Sequence, residues 1–289
     1  LTALLGSSDD PDEPAGEERE DALIEAARLL ELGHIERAEC KYAEAEQCYR
    51  SALELFQQHN DRAGEGEATG NLGIVYRDQG QYDRAIENYT QAIDINREIG
   101  NKRGEGINLG NLGNVYREKG QLDRAVEHFT RALDIAREIG DKRSEGIHLG
   151  NLGLVYHTQG HHDRAVEHYT QAIDITREIG DKRSEGINLG NLGDAFVKVG
   201  HLDKAEEAFR KAIPLCDKAC PPAAGAFRAS LAPLLAQQDQ IDEAQDLLKI
   251  GEPQVTACPN EHTKFLCKKG QVQLLTGEPE AAQKALDQA

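Results

Sequence analysis

The sequence predicts an all-α protein made of about seven helix–turn–helix repeats stacked into a solenoid. Residues 101–140 and 141–180 align without a gap and are identical at 27 of 40 positions, and residues 61–100 and 181–220 fit the same frame. Self-similarity at a fixed period of roughly 20–50 residues is typical of repeat arrays. The chain of 289 residues has no Trp, no Met and only 14 aromatic residues. Thin stacked layers therefore suit it better than one deep core.

Each repeat carries two apolar stripes with helical spacing. In 101–140 the first stripe contains Leu109, Leu112, Gly113 and Tyr116, and Gly120 is expected to end that helix. The small side chains predict that the two helices of a pair approach closely, while the aromatic residues fill the space between layers. The second stripe contains the following apolar positions: Leu122, Ala125, Val126, Phe129, Ala132, Leu133 and Ala136.

Less regular repeats flank this array. Gly33, Tyr42 and Ala45 keep the frame upstream, whereas the downstream residues match it one position out of phase. We expect one superhelical domain over 18–289, preceded by an acidic, disordered linker or tail over 1–17. The expected repeats span about 21–60, 61–100, 101–140, 141–180, 181–220, 221–258 and 259–289.

The pattern resembles the tetratricopeptide repeat (TPR), since Leu112-Gly113-x-x-Tyr116 is followed by Gly120 and by Ala125, Phe129 and Ala132. The long unit with Gly-Asn-Leu-Gly-Asn at 110–114 is similar to the Leu-Gly-Asn adaptors and the kinesin light chain group, and bacterial TPR signalling proteins use such units too. The resemblance implies a right-handed superhelix. It also implies that the first helix of each repeat lines a concave groove that holds a ligand.

The charge excludes several classes of partner. The chain carries 33 basic and 51 acidic residues, a net charge of −18. Nucleic acids and anionic membranes both require clustered positive charge, so we expect neither as a partner. The sequence contains no run of about 18 apolar residues and no signal peptide, which favours a cytoplasmic protein. The absence of an initiator Met suggests an excised segment of a longer chain.

No group of residues predicts catalysis, so we expect a protein that is not an enzyme and has no cofactor. The closely spaced glycines at 104, 106, 110 and 113 lie inside a helical pattern and follow no strand, unlike a dinucleotide-binding loop. A histidine cluster in 141–180 is spread over a turn and two helices, which favours surface residues over a metal site. The six cysteines are expected to be free thiols; the alternative is a bridge from Cys216 or Cys220 to Cys258 or Cys267.

The expected ligand site is the solvent face of the first helices. Asn recurs at one position in four repeats, and its carboxamide can both donate to and accept from the main chain of an extended peptide. Two alternatives remain: the Asn residues were inherited by duplication, or they bond to a neighbouring repeat. Arg77 and Arg117 could bind a carboxylate. The predicted groove residues are Asn71, Arg77, Ile107, Asn111, Asn114, Arg117, Ile147, Asn151, Leu154, His157, Ile187, Asn191, Asp194 and Lys198.

These observations predict a protein–protein interaction scaffold that binds an extended or helical peptide segment of a partner protein. The alternatives are a peptide or effector sensor and a regulatory module of a larger signalling enzyme. The terminal repeats could also mediate self-association.

Overall fold

The computed structural model describes residues 16–289, which contain fourteen α-helices and no strand. The predicted all-α helical-repeat fold is confirmed. The tail expected over 1–17 lies mostly outside the described residues, and α1 begins at Gly16. The helices are α1 (Gly16–Ala38), α2 (Tyr42–Gln58), α3 (Arg62–Asp78), α4 (Tyr82–Glu98), α5 (Lys102–Glu118), α6 (Leu122–Glu138), α7 (Lys142–Thr158), α8 (His162–Glu178), α9 (Lys182–Lys198), α10 (Leu202–Ala219), α11 (Pro221–Gln237), α12 (Ile241–Val255), α13 (Pro259–Leu275) and α14 (Pro279–Asp287).

The described chain divides after His128, within α6, into two compact parts. We call residues 16–128 the N-terminal body and residues 129–289 the C-terminal body. In each body an odd-numbered helix packs against the even-numbered helix that follows it, and this pair packs against the next. The bounds of the seven individual repeats stay a prediction.

Repeated local signals begin and end the helices. Asp141 caps α7, because its Oδ1 accepts a hydrogen bond from the Ser144 backbone N–H at 3.0 Å. Gly160, which follows α7, has a φ of 80° in the left-handed region that glycine tolerates best. Cys40 takes the equivalent turn position after α1 with a φ of 61°, although it is not a glycine. The chain therefore keeps the turn geometry even where the sequence motif is lost.

Aromatic rings pack directly against glycines within the helix pairs. Tyr89 is fully buried and Tyr169 almost so. A Cβ atom added to Gly73 would lie 2.8 Å from the Tyr89 ring, and one added to Gly153 would lie 2.7 Å from the Tyr169 ring. The close approach predicted for the paired helices is thus present at both glycines.

We expect even alanine to be unfavourable at Gly153. Alanine is the better helix former by about 1 kcal/mol, but overpacking typically costs about 1–3 kcal/mol. Gly153→Ala should therefore lower the free energy of unfolding in urea, and Gly153→Leu should lower it much more. Thr170→Ala, at an exposed position of α8, is the control. Equal stability of Gly153→Ala and wild type would contradict the packing argument.

Buried carboxylates join successive helix pairs. Glu145 and Glu185 are 7% and 5% exposed. Arg137 Nε–H donates to Glu145 Oε1 at 3.0 Å, and Arg177 Nε–H donates to Glu185 Oε1 at 3.0 Å. Burial raises the pKa of Glu145, but the bonds from Lys142 and Arg137 outweigh it and leave that pKa below its usual value. These bonds fix the start of one pair against the end of the previous pair.

Candidate functional site

In the N-terminal body, the first helices of three successive pairs line an open cleft. Its volume is about 650 Å³, and its walls come mainly from α1, α3 and α5. The cleft contains three predicted groove residues, Asn71, Ile107 and Asn111. The apolar part of the wall also includes Leu23, Leu30, Phe56 and Ile74. Amide groups and aliphatic side chains thus face one space.

Asn71 lines this cleft and carries an unsatisfied hydrogen-bond donor. The residue is half-buried, and its Nδ2 is buried without a hydrogen-bond partner. A buried polar group that forms no hydrogen bond costs about 1–3 kcal/mol. Because Nδ2 is buried, the Asn71 side chain would have to turn toward the cleft before a ligand oxygen could accept from Nδ2 and remove this cost. Asn111, one repeat further along, is half-buried in the same cleft.

Further asparagines form the polar wall near the end of α4. Asn101 Nδ2–H donates to Asn96 Oδ1 at 2.7 Å, and Asn96 Nδ2–H donates to the Ala92 carbonyl oxygen at 2.7 Å. Gly104 makes room for this pair, since an added Cβ would lie 2.1 Å from Asn96 Oδ1. Sequence reasoning missed these residues. The available signal was Asn96 itself, which stands where the next two repeats have Ala136 and Thr176.

The aliphatic residues of the predicted stripe are accessible. Ile107 is 49% exposed in the N-terminal body, and Ile147 is 44% exposed in the C-terminal body. Leu154 and Ile187 are half-buried in the C-terminal body. Exposed aliphatic side chains that recur at the same register are consistent with a surface that a ligand covers.

The two predicted cations already have acidic neighbours. Arg77 Nη2–H donates to Asp78 Oδ1 at 2.8 Å, and Arg37 of α1 donates to the other oxygen of Asp78 at 3.0 Å. Arg117 lies 3.9 Å from Glu118 and 3.4 Å from Asn114 Oδ1. Arg77 therefore shares one carboxylate with Arg37, whereas Arg117 has only the longer contacts with Glu118 and Asn114.

In the C-terminal body, a lysine of α13 contacts a predicted groove residue of α9. Lys268 Nζ lies 3.5 Å from Asp194 Oδ1 and donates a hydrogen bond to Ser230 Oγ of α11. This contact joins three first helices across their common face. The remaining predicted residues here are Asn151 and Asn191, which are half-buried, and Lys198, which is exposed.

One histidine of α7 lies close to one histidine of α8. The rings of His157 and His162 have centroids 5.0 Å apart. Burial, together with the nearby charge of His162, lowers the pKa of His157. Within residues 16–289, no three His, Cys, Asp or Glu side chains are grouped so that they could hold a metal ion.

All six cysteines are free thiols, and Cys216 is fully buried. Burial raises the pKa of the Cys216 thiol to about 11, so it is a packing residue rather than a nucleophile. Within the described part of the chain, no helix is long and apolar enough to cross a bilayer.

Many solved structures share this fold, including the following three. A signal transduction ATPase from Pyrococcus horikoshii with a tetratricopeptide repeat sensor is 18% identical, with a TM-score of 0.74 over 90% of this chain and 40% of that one. A Rap protein complexed with competence and sporulation factor is 17% identical, with a TM-score of 0.62 over 96% of this chain and 82% of that one. A putative kinesin light chain from Podospora anserina is 21% identical, with a TM-score of 0.53 over 65% of this chain and 93% of that one.

Sequence comparison identifies the family. No curated protein sequence matches the chain. Family models of the tetratricopeptide repeat match residues 25–98 and 105–178, and a related model of the same repeat matches residues 188–216. Together the first two ranges cover just over half of the chain, and they include α2, α3, α4, α6, α7 and α8 in full. The chain therefore belongs to the tetratricopeptide repeat family, as its repeat pattern predicted.

Proposed function

We propose that the protein is an interaction scaffold whose N-terminal cleft holds an extended peptide segment of a partner protein. The observation that carries this proposal is the buried Nδ2 of Asn71, which lacks an acceptor and belongs to a side chain that lines a cleft of about 650 Å³. A main-chain carbonyl oxygen of a peptide is such an acceptor. A similar fold has been solved with a bound factor, the Rap protein complex.

The cleft suits a peptide with at least one bulky apolar side chain. Leu23, Leu30, Ile74 and Ile107 offer an aliphatic wall beside the amides. Apolar contact would supply affinity in proportion to the area removed from water, while the amides would fix the direction and register of the main chain. The equivalent face of the C-terminal body, with Asn151 and Asn191, is proposed as a second contact surface.

Alanine substitution of both cleft asparagines should weaken peptide binding. The ligand is a peptide selected from a random-sequence library against the wild-type chain. Each hydrogen bond contributes about 0.5–1.5 kcal/mol net, so Asn71→Ala/Asn111→Ala should raise the Kd by about ten- to a hundredfold. Calorimetry measures the Kd, and thermal unfolding of the same proteins measures the stability, which should not fall because the substitution removes a buried group without a partner.

Asn88→Ala is the matched control. Asn88 lies on α4, where its Nδ2–H donates to the Arg84 carbonyl oxygen, and it does not line the cleft. This variant should bind the peptide with wild-type affinity. If the Asn71/Asn111 variant lost stability and affinity together, the asparagines would be structural. If it kept full affinity, the peptide would bind elsewhere.

A sensor for a free peptide or effector is the second candidate. The observation that favours it is the similar fold of the ATPase whose tetratricopeptide repeats are described as a sensor. A sensor should change its dimensions when it binds, so small-angle scattering should show a different radius of gyration with the selected peptide. A scaffold should show the same radius in both states.

A further inference from the structure

One face of α1 exposes large aliphatic side chains. Ile24 is 61% exposed and Ile35 is 55% exposed. The two residues are eleven positions apart, which is close to three helical turns, so they lie on the same side of the helix. Neither residue lines the proposed peptide cleft.

The corresponding residues of the internal repeats are buried. In the 40-residue frame, Ile35 corresponds to Val75 and Val155, which are both fully buried. Ile24 corresponds to Gly64, whose added Cβ would lie 2.3 Å from the Phe56 ring of α2. Elsewhere in the array, the second helix of the preceding pair thus covers this register. The face of α1 thus exposes two aliphatic side chains at a register that is buried in the internal repeats, and an array normally covers such a register with a neighbour or a polar cap.

We propose that α1 packs antiparallel against α1 of a second copy of this chain. The exposed face of α1 is self-complementary about a two-fold axis perpendicular to the helix. This axis crosses the helix at the level midway between residues 29 and 30. This axis places Ile24 opposite the partner's Ile35, and it places Arg28 opposite the partner's Glu31. Apolar side chains therefore meet apolar side chains, and each Arg28 meets an opposite charge. A two-fold axis makes both contacts twice and closes the assembly at a dimer.

The charged side chains on the exposed face of α1 are available for such a contact. The Arg28 guanidinium pairs with Glu25 at 2.7 Å, but its side chain remains 64% exposed. Five N–H donors allow it to keep Glu25 and also reach a carboxylate of the partner. Glu31 is exposed on the same face.

The dimer should be weak. A helix of 23 residues is about 35 Å long, so the buried area falls at the lower end for specific interfaces. We expect a dissociation constant on the order of micromolar to tens of micromolar. Sedimentation velocity of the full chain from about 1 to 200 µM should show a shift from monomer to dimer.

Substitution of Ile35 tests the apolar contact. Ile35→Asp should weaken dimerisation at least tenfold, while its melting temperature at low concentration stays at the wild-type value because Ile35 is exposed. Ile250→Asp is the matched control, since Ile250 is 52% exposed on α12. It should leave the dimer intact.

Charge reversal tests the antiparallel register. Arg28→Glu and Glu31→Arg should each weaken the dimer, because each places like charges opposite one another across the two-fold axis. The double variant Arg28→Glu/Glu31→Arg should restore it, because the exchange brings opposite charges back across the axis.

Three results would overturn the proposal: a monomer at every concentration, a dimer insensitive to Ile35→Asp, or a dimer lost on Leu286→Asp, which would place the contact at α14. Dimerisation that appeared only after removal of residues 1–15 would show that the chain's own start covers α1, and would overturn it too. None of these results bears on peptide binding, so the two proposals fail separately.

Discussion

Replacing Arg228 with leucine should lower the free energy of unfolding by about 3 kcal/mol. Arg228 is 7% exposed on α11. Its Nη1–H and Nη2–H donate to the two oxygens of Asp217 at 2.6 and 2.8 Å, and Nη1–H also reaches Gln254 Oε1 of α12 at 2.7 Å. Removing one partner of a buried ion pair costs about 3–5 kcal/mol. We expect a loss at the lower end of this range, because the Asp217 side chain is 35% exposed and water can solvate part of its charge.

Arg210→Leu is the control for this loss. Arg210 also forms two bonds with a carboxylate of the next pair, Glu243, but its side chain is 42% exposed. Exposed ion pairs contribute about 0–1 kcal/mol. Urea unfolding of both variants should therefore separate them by about 2 kcal/mol or more. Equal losses would show that burial does not set the strength of the Arg228 contact.

Substitution of His148 should remove a large part of the acid sensitivity of folding. His148 is 6% exposed on α7, and its Nδ1 is buried without a hydrogen-bond partner. Burial lowers the pKa of His148 from 6.5 to about 4. Because a protonated imidazole is unfavourable in this position, the folded protein resists protonation while the unfolded chain does not.

The sign of the effect follows from the two pKa values. Between pH 6.5 and about 4 the unfolded state binds more protons at His148, so stability falls as the pH falls. The stability that the neutral form of His148 contributes is fully present above pH 6.5 and is lost by about pH 4. A difference of that size corresponds to roughly 3 kcal/mol.

His148→Asn should flatten this part of the pH profile, as measured by urea unfolding at intervals of about half a pH unit. Asn188 holds the equivalent position of α9 and is buried to the same degree. The reverse substitution, Asn188→His, should therefore steepen the profile. Parallel profiles for wild type and His148→Asn would contradict a buried, neutral His148.

The repeat period and the apolar stripes predicted the fold because both are periodic along the chain. Leu109, Leu112 and Tyr116 are buried as their spacing predicted. The turn after α1 shows that the repeat geometry is kept where the glycine of the motif is absent. Cys40 adopts the left-handed backbone conformation that glycine has in the other repeats. In contrast, the role of the predicted groove residues stays a prediction, since spacing identifies the solvent face of a helix but not what binds to it.

The missed features depend on contacts that break the period. Asn96 and Asn101 shape the cleft in one repeat only, so a comparison between repeats does not identify them as functional residues. The contact of Lys268 with Asp194 joins residues 74 positions apart in a region where the frame has shifted. Arg77 looked like a free cation because the sequence does not show that Asp78 turns toward it.

The crystal structure of the full chain with the selected peptide would test the central claim most directly. We predict an extended peptide in the cleft between α1, α3 and α5, with a main-chain carbonyl oxygen about 3 Å from Asn71 Nδ2 and an apolar side chain against Ile107. A peptide bound on the even-numbered helices, with Asn71 still without an acceptor, would contradict it.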